Sequence, residues 1–365
     1  MYKDRRKQLY NYLKSELQVD CAIIMDPINI FYYTGFNSNP HERFFALAID
    51  VKYNNTILFV PSLDEEAAQY HSDVPNLVAI ADDENSYDKF AHELGHAYST
   101  LAIEKKFVTI QQYEQFQQRY SEVRFLDISL IIGEQRLQKS SEEIKNVQQA
   151  ITITENALSE TLAYIKPGMT EQQVKSRLEY EFILAGADDV AFVPLVLSGE
   201  KAALPHGATG KKLLERGDFL LFDIGVTVNG YHSDLSRTFI IGEETNEQRA
   251  IYETVREANI KAIETVQIGE SLKEIDLAAR NYIESRGYGE YFTHRIGHGL
   301  GLEVHELPSI HEKNKDLIKP GMLFTVEPGI YIPKIGGVRI EDNIYVHEDG
   351  EKEVLSSFSK NLKRI

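Results

Sequence analysis

Two segments of the same design decide the fold of this chain, GDFLLFD at residues 217–223 and GMLFTVE at residues 321–327. In each segment a glycine precedes an apolar run that is typical of a buried strand, and an acidic residue closes the run. Burying an unpaired carboxylate costs several kcal/mol. Asp223 and Glu327 are therefore expected to have a cation as their partner.

A second acidic residue follows each segment, Asp234 after the first and Glu341 after the second. Between the two pairs lies Gly297-His298-Gly299, which adds one imidazole. Four carboxylates are neutralised by two divalent cations, whereas a single cation would leave a partly buried site negative. The sequence therefore predicts a site for two metal ions.

The ligand types also predict the ions and their chemistry. Carboxylate oxygens with a single imidazole favour Mn²⁺, Co²⁺ or Fe²⁺ over a structural zinc ion without excluding zinc, and we predict Mn²⁺. Two metal ions about 3.5 Å apart can deprotonate a shared water and polarise a carbonyl group. The predicted class of reaction is hydrolysis.

Length and composition set limits on the class of protein. A chain of 365 residues with 42% hydrophobic content is expected to fold into about two domains. The net charge of −17 argues against nucleic acid or an anionic membrane as a partner. No apolar run reaches membrane-spanning length and the start of the chain lacks a signal-like segment, so we predict a cytoplasmic protein. The single Cys21 excludes a disulfide within the chain and a thiolate metal site.

The first part of the chain alternates strand-like and helical segments, which predicts an α/β domain over residues 1–130. The predicted strands lie at residues 46–49, 56–60, 77–81, 101–103 and 123–126, and a predicted helix covers 109–119. Ser140 and Glu143 then form a capping-box pattern that opens a long helix. The domain boundary is placed between Ile128 and Lys139, and the second domain over residues 138–365.

The second domain contains an internal repeat. The segment IKPGMT at residues 165–170 resembles VQIGES at 266–271, with Thr170 and Ser271 as expected helix N-caps. His206 recurs as His305, and the glycine-to-acid strands follow in the same order. Any single match could be chance, but the ordered set favours duplication. We therefore predict a site on a pseudo-two-fold axis between two related halves.

The register of the first acidic pair follows from a turn. Asn229-Gly230 is the strongest short signal for a two-residue β-hairpin turn. In that register Ser236 lies opposite Asp223, and Asp223 and Asp234 are diagonal neighbours on one face, about 7–8 Å apart at the backbone. Gly225, opposite Asp234, is predicted to leave room for an ion. In the second pair, alternation places Arg339 on the face of Glu341, where it could orient a carboxylate ligand.

These residues resemble a known family, the pita-bread metallopeptidases, in the proline-specific branch of Xaa-Pro dipeptidase (prolidase) and aminopeptidase P. The resemblance lies in FDIG, GYHSD, GHGLG, VHE, TVEPG and VRIED, which occupy residues 222–225, 230–234, 297–301, 304–306, 325–329 and 338–342. Residues 29–36, NIFYYTGF, are similar to the creatinase-like amino-terminal domain of that branch. The implied architecture is an α/β amino-terminal domain and an α+β pita-bread catalytic domain.

The resemblance implies a role for each ligand. Asp223 would bind one metal ion, His298 and Glu327 the other, and Asp234 and Glu341 would bridge both. A hydroxide held between the ions would attack the carbonyl that precedes proline, and Glu327 would transfer the proton.

The resemblance also implies roles for the groups around the ions. His206 and His305 would bind substrate and stabilise the tetrahedral oxyanion. His294 is similar to the histidine on the proline side, and Arg339 would act beside the ligands. The family also implies a homodimer.

Two alternatives to a dipeptidase remain open. A dipeptidase must hold the free carboxylate of its substrate, but residues 306–326 contain no arginine, and His311, Lys313 and Lys315 are available instead. Aminopeptidase P, which acts on longer peptides, is therefore the alternative enzyme, although the chain length favours a dipeptidase. The non-enzymatic alternative is a metal-free pita-bread binding module, which the complete set of ligand residues disfavours.

Two short motifs are interpreted as coincidences. His92-Glu93-Leu94-Gly95-His96 matches the H-E-x-x-H zinc pattern, but the residues that follow offer no third ligand and Gly95 weakens a helix. The glycines of residues 297–301 lack the third-glycine spacing and the lysine of a phosphate loop.

Overall fold

The structure is a computed structural model that describes residues 1–95 and 97–365. The chain divides into two compact units, Met1–Gln135 and Arg136–Ile365. Among the described residues no helix is both long and apolar enough to cross a membrane.

The first unit is an α/β unit built on a six-stranded mixed sheet with the strand order β4-β3-β2-β1-β5-β6. Its strands are β1 (Cys21–Ile24), β2 (Ala46–Asp50), β3 (Asn55–Pro61), β4 (Asn76–Ile80), β5 (Thr100–Ile103) and β6 (Arg124–Asp127). Its helices are α1 (Tyr2–Tyr12), α2 (Pro27–Thr34), α3 (Glu65–His71), α4 (Ser86–Leu94), α5 (Ile110–Arg119) and α6 (Ser129–Leu137). A π-helical turn at Leu13–Leu17 and a 3₁₀ turn at Ser62–Asp64 complete it. The strands predicted in this region are confirmed to within one or two residues at each end.

The second unit has two larger sheets, with the orders β12-β9-β8 and β14-β13-β15-β18-β19, and two small ones, β11-β10-β7 and β16-β17. Its first-half strands are β7 (Asp189–Val190), β8 (Leu195–Ser198), β9 (Phe219–Ile224), β10 (Val226–Val228), β11 (Tyr231–His232) and β12 (Leu235–Ile240). Its second-half strands are β13 (Gly297–Gly299), β14 (Glu306–Ile310), β15 (Leu323–Val326), β16 (Gly329–Ile332), β17 (Gly336–Arg339), β18 (Asp342–Val346) and β19 (Lys352–Val354). Its helices are α7 (Ser141–Tyr164), α8 (Glu171–Leu184), α9 (Asn246–Glu264) and α10 (Leu272–Ser285), with 3₁₀ turns at Gly199–Ala203 and Gly289–Tyr291.

The predicted repeat is present in the backbone hydrogen bonds of the second unit. Gly168 N–H donates to the carbonyl of Leu214, and Gly269 N–H donates to that of Ile318, over 2.9 and 3.0 Å. Both glycines have a left-handed backbone, with φ of +86° and +85°. Because two turns of the same shape are bonded to the segments that lead into the two glycine-to-acid strands, the halves have one folding plan.

The helix caps of the two halves differ. Ser140 and Glu143 form the predicted capping box at the start of α7, and Thr170 forms one with Gln173 at α8. Ser271 occupies the N-cap of α10, but its side chain does not cap that helix. Its hydroxyl instead donates to the carbonyl of Asn314 over 3.1 Å. The predicted N-cap position of Ser271 is therefore confirmed, although its side chain makes no capping hydrogen bond.

The predicted hairpin register is confirmed. Val228 pairs with Tyr231 across the turn, and Ser236 pairs with Asp223. Asn229 and Gly230 both have positive φ, 50° and 82°, as a two-residue type I′ turn requires. The explanation proposed for Gly225 is wrong, because a Cβ there would lie 2.0 Å from the carbonyl oxygen of Ser233. Close approach of the backbone, rather than space for an ion, requires the glycine.

Candidate metal centre and substrate pocket

The second unit contains a cavity of about 470 Å³ in which the predicted site residues meet. Each predicted residue reaches the cavity from its own strand or loop, and together they form most of its wall. The predicted residues that line it are His206, Asp223, Asp234, His294, His298, His305, Glu327, Arg339 and Glu341. Residues from both halves of the repeat therefore enclose one site.

The five predicted ligands lie on or beside the strands at the centre of the unit. Asp223 lies on β9, and Asp234 lies between β11 and β12. His298 is the middle residue of β13, whereas Glu327 directly follows β15 and Glu341 directly precedes β18. The sheet holds the backbone of a residue that lies on a strand or at its end. The side chain of such a residue therefore loses little further conformational freedom when it binds an ion.

Asp234, His298 and Glu341 form a compact buried group. One potential ligand atom from each lies within 4.8 Å of the other two. Asp234 Oδ1 and Glu341 Oε1 are buried without a hydrogen-bond donor among the described atoms. Glu327 extends the group, because its Oε1 lies 3.3 Å from His298 Nε2. Buried carboxylate oxygens without donors, next to an imidazole nitrogen, fit the coordination of a divalent cation.

Without a cation the carboxyl groups hold protons. Burial raises the pKa of Glu327 to about 8, and the nearby Asp223 carboxylate acts in the same direction. Burial, with the charges of Glu327 and Asp223, also raises the pKa of Glu341 to about 8. The pKa of Asp234 lies well above its usual value because of burial and the neighbouring Glu341. Clustered buried acids of this kind are stable as carboxylates only when a cation joins them.

Arg339 organises one side of the site with three hydrogen bonds. It donates to Asp223 Oδ2 over 2.6 Å, to Ser236 Oγ over 2.7 Å and to the hydroxyl of Tyr331 over 2.8 Å. Ser236 in turn donates to Glu341 Oε2 over 2.8 Å. One guanidinium thus orients a ligand directly and a second ligand through a serine.

His294 is held at both ring nitrogens. Its Nδ1 lies 2.8 Å from the carbonyl of Arg295, and its Nε2 lies 2.9 Å from the hydroxyl of Tyr331. A carbonyl only accepts, so Nδ1 carries the proton and Nε2 accepts from Tyr331. Burial and the charge of Arg339 lower the pKa of His294 to about 4. The imidazole is neutral at pH 7, and its ring surface faces the cavity.

The other two predicted substrate histidines are exposed at the cavity. The ring of His305 lies edge-to-face with His298, with centroids 4.2 Å apart. Partial burial and the nearby His298 lower the pKa of His305 to about 4, so the ring is neutral at pH 7. His206 and His305 can therefore reach a ligand in the cavity.

The loop that carries His206 is anchored by Glu171, the first residue of α8. Glu171 is fully buried and accepts from the backbone and hydroxyl of Ser198 over 2.8 and 3.1 Å. Its other oxygen accepts from Gly210 N–H over 3.0 Å and from the ammonium of Lys201. One carboxylate therefore holds both ends of the segment from 198 to 210.

The loop that carries His305 has a comparable anchor in the residue that follows it. The Glu306 side chain is 4% exposed and pairs with the buried side chains of Arg136 and Lys139. Burial opposes its ionisation, but these two cations outweigh burial and lower the pKa of Glu306 to about 2. Arg136 also pairs with Glu303 over 2.8 Å. Ion pairs on both sides of His305 thus hold its loop.

The glycines that flank His298 have a steric cause. A Cβ at Gly297 would lie 1.9 Å from the carbonyl oxygen of Thr325, and one at Gly299 would lie 1.9 Å from that of Leu307. Strand β13 therefore packs too closely to its neighbours for any side chain at these two positions. This packing explains the glycines around His298 without a phosphate loop.

Several cavity residues were missed from the sequence. They are Phe192, Leu195, Pro205, Arg295, Val304 and Tyr331. Arg295 donates to the hydroxyl of Ser309 over 2.9 Å. Its position beside His294 could have identified it, because it immediately follows a predicted site residue. Tyr331 and Phe192 have no comparable local signal.

The cations suggested for carboxylate binding and the H-E-x-x-H motif lie elsewhere. His311, Lys313 and Lys315 are not among the described residues that line the cavity. Helix α4 ends at Leu94 and His92 is exposed, whereas His96 lies outside the described residues.

Two known protein-family models match the chain, and they divide it at nearly the same place as the two compact units. The model described as metallopeptidase family M24 matches residues 145–348. The chain belongs to metallopeptidase family M24. The creatinase/prolidase N-terminal domain model matches residues 5–138 of this M24 peptidase.

Relatives and solved structures cover nearly the whole M24 peptidase. An uncharacterized peptidase of Staphylococcus aureus is 38% identical over 343 residues, covering 94% of this chain and 96% of the relative. An Xaa-Pro dipeptidase from Bacillus anthracis has a TM-score of 0.92 and 32% identity, with 100% of both chains covered. The prolidase from Pyrococcus horikoshii has a TM-score of 0.91 and 33% identity, covering 98% of this chain and 99% of that one. An X-Pro aminopeptidase from Thermotoga maritima has a TM-score of 0.88 and 32% identity, covering 99% and 100%. The fold is that of the proline-specific pita-bread branch, as the resemblance implied.

Proposed function

We propose that this M24 peptidase hydrolyses the Xaa-Pro bond of dipeptides with two divalent metal ions. The observation that carries the proposal is the buried group of Asp234, His298 and Glu341, with Asp234 Oδ1 and Glu341 Oε1 lacking donors. Carboxylates in such a position would be strongly destabilised unless cations bind them.

The residues divide into two ligand sets. Asp223 would hold one ion and His298 with Glu327 the other, and Asp234 and Glu341 would bridge the two. The 3.3 Å contact of His298 with Glu327 supports their assignment to the same ion. When bound, such ions acidify a water molecule and polarise a substrate carbonyl.

The protein groups around the ligands would orient the substrate and move the proton. Glu327, the carboxylate to which the resemblance assigns the proton transfer, would pass the proton to the leaving proline nitrogen. His206 and His305 would donate to the oxygen of the scissile carbonyl as negative charge develops on it. Arg339 would keep Asp223 oriented throughout.

A dipeptide substrate requires a group that binds its free carboxylate, and we assign that role to Arg295. Arg339 is committed to Asp223, Ser236 and Tyr331, so Arg295 is the guanidinium in the cavity that can face a substrate. Its bond to Ser309 leaves further N–H groups of the fork for a bidentate carboxylate contact. This arrangement favours a dipeptidase, with aminopeptidase P activity as the alternative that the likeness to the Thermotoga maritima enzyme supports.

We further propose Mn²⁺ as the ion, because four carboxylates and one imidazole form a ligand set rich in oxygen. Co²⁺ or Zn²⁺ would be the alternatives. We also propose that the protein is a homodimer, as the family resemblance implies, and that it is cytoplasmic, as the sequence predicts. Sedimentation velocity of the purified protein tests the dimer.

The test compares hydrolysis of Ala-Pro and Ala-Pro-Ala in Mn²⁺, Co²⁺ and Zn²⁺. Preferred cleavage of Ala-Pro supports the dipeptidase, whereas preferred cleavage of the tripeptide supports aminopeptidase P. Asp223→Ala and Glu327→Ala are expected to abolish cleavage, and His92→Ala, outside the cavity, should leave it near normal. Full activity in either of the first two variants would refute the site, and a wild-type protein that cleaves neither peptide in any metal would favour the binding module.

A further inference from the structure

Asn259 on α9 is a buried side chain that contacts the backbone next to two of the proposed ligands. It is fully buried, and its amide nitrogen donates to the carbonyl of Val326 over 3.0 Å and to that of Ile340 over 3.3 Å. Val326 immediately precedes Glu327, and Ile340 immediately precedes Glu341. One amide group therefore joins the peptide units that lead into two ligands on different strands.

The far sides of the same two peptide units are also held. Glu327 N–H donates to the carbonyl of Ile296 over 2.7 Å, and Glu341 N–H donates to that of Ser236 over 3.1 Å. A peptide unit is planar, so fixing its C=O on one side and its N–H on the other fixes its orientation. The Cα position of each ligand follows from that orientation. Asn259 supplies the C=O half of this restraint for both ligands at once.

The Asn259 side chain is itself fixed by the ion pair between the partly exposed Lys360 and the buried Asp342. Lys360 donates to Asn259 Oδ1 over 2.8 Å and to Asp342 Oδ2 over 2.7 Å. Because the ammonium only donates, it fixes which end of the amide is the oxygen, and the NH₂ group must face the two carbonyls. The side chain therefore has one orientation with every polar atom satisfied.

From these contacts we infer that Asn259 is a positioning residue that sets the separation of Glu327 and Glu341 and thereby the affinity for the metal ions. The inference rests on the proposed function, since it gives those two carboxylates their role as ligands. Asn259 touches no ligand side chain and acts only through the backbone. Loss of groups that orient metal ligands typically weakens binding by about 10- to 100-fold.

The test is titration of the purified full-length protein with Mn²⁺ by calorimetry at low temperature. Asn259→Asp keeps the shape of the side chain but places an oxygen against two carbonyl oxygens, and Asn259→Ala removes the amide. Both are expected to bind Mn²⁺ about 10- to 100-fold more weakly than the wild type. The visible absorption spectrum of bound Co²⁺ should also change, because this spectrum responds to the geometry of the ligands. A uniform loss of stability would leave the ligand geometry, and therefore the spectrum, unchanged.

A matched control comes from the same helix. Thr254 is also buried on α9, but its hydroxyl donates to the carbonyl of Ala250, so Thr254→Val removes a hydrogen bond internal to the helix. This variant should keep wild-type Mn²⁺ affinity. Should Asn259→Ala not fold, Asn259→Ser, which keeps one donor, is expected to give an intermediate affinity.

The possible outcomes separate the two proposals. Wild-type Mn²⁺ affinity and an unchanged Co²⁺ spectrum in a folded Asn259 variant would overturn the positioning role and leave the proposed function intact. Equal weakening in Thr254→Val would also overturn it, because the effect would then belong to the helix as a whole. A wild-type protein that binds no metal ion would overturn the proposed function itself.

Discussion

Removing the metal ions should make the stability of the protein fall steeply between pH 6.5 and pH 8. In the metal-free folded chain, Glu327 and Glu341 have pKa values raised by burial to about 8, whereas both ionise near pH 4.3 in the unfolded chain. Unfolding therefore releases protons in this range and becomes more favourable as the pH rises. The stabilisation that these two groups provide is complete below their pKa in the unfolded chain, and it is lost as the pH rises through their pKa in the folded chain.

The size of the effect follows from the number of protons retained. Each proton that the folded state holds and the unfolded state has released lowers the free energy of unfolding by about 1.4 kcal/mol per pH unit, or by about 1.6 kcal/mol from pH 6.5 to pH 8, because a group with a pKa of about 8 is half-ionised at pH 8. Glu327 and Glu341 together then give a loss of about 3 kcal/mol, and Asp234, whose pKa burial also raises, acts in the same direction. The histidines with lowered pKa values, among them His294 and His305, are still partly protonated at pH 6.5 in the unfolded chain, so they oppose the trend near pH 6.5 but little above about pH 7.5.

The assay is thermal or urea unfolding of EDTA-treated and Mn²⁺-saturated protein at pH 6.5, 7.2 and 8. The metal-saturated protein keeps its ligands ionised and should show little of this dependence. In Glu341→Gln one retained proton is absent, so the metal-free variant should lose part of the pH dependence and should not bind metal normally. A metal-free wild-type protein whose stability is constant or increases over this range, relative to the Mn²⁺ form, would refute the account of the buried carboxyl groups.

Three further predictions concern the supports of the site. Glu171→Gln leaves an amide NH₂ facing donors at Lys201 or Ser198 and so loosens the loop that carries His206. The value of kcat/KM for Ala-Pro should fall about 10- to 100-fold, while the melting temperature of the Mn²⁺ form should shift by only a few degrees. Normal kinetics would contradict the role of Glu171 as the anchor of this loop. Glu306→Gln leaves Arg136 and Lys139 with a neutral partner, so the loop that carries His305 is held less firmly and KM for Ala-Pro should rise. An unchanged circular dichroism spectrum is the control for folding, and an unchanged KM would contradict the prediction. Gly297→Ala places a Cβ 1.9 Å from a backbone oxygen and should cost about 1–3 kcal/mol or more in urea unfolding. Gly210→Ala places a Cβ 3.3 Å from the Lys201 ammonium and 3.9 Å from the nearest backbone oxygen, so it should cost less, and equal costs would argue against the steric explanation.

The predictable part of this protein is encoded in short stretches of sequence. Strands of the first unit follow from local composition, and the Asn229-Gly230 turn determines which residue faces Asp223. Acidic residues that close apolar strands identify Asp223 and Glu327 as members of a buried polar site before any contact is known. Such features can be predicted because a turn or a strand depends on neighbours a few positions away.

The sequence by itself therefore determined the two-part fold class, the repeat and the polar side chains that meet in the cavity, other than Arg295 and Tyr331. Only the tertiary structure decided what holds them, because Asn259 contacts carbonyls 67 and 81 positions away and Lys139 pairs with Glu306 across 167 positions. Such contacts leave no periodicity and no local motif, since an asparagine on a helix or a lysine in a loop has the same local pattern whether it faces solvent or a buried carbonyl. Burial gives these side chains their role, and burial depends on how the strands and helices of the second unit pack.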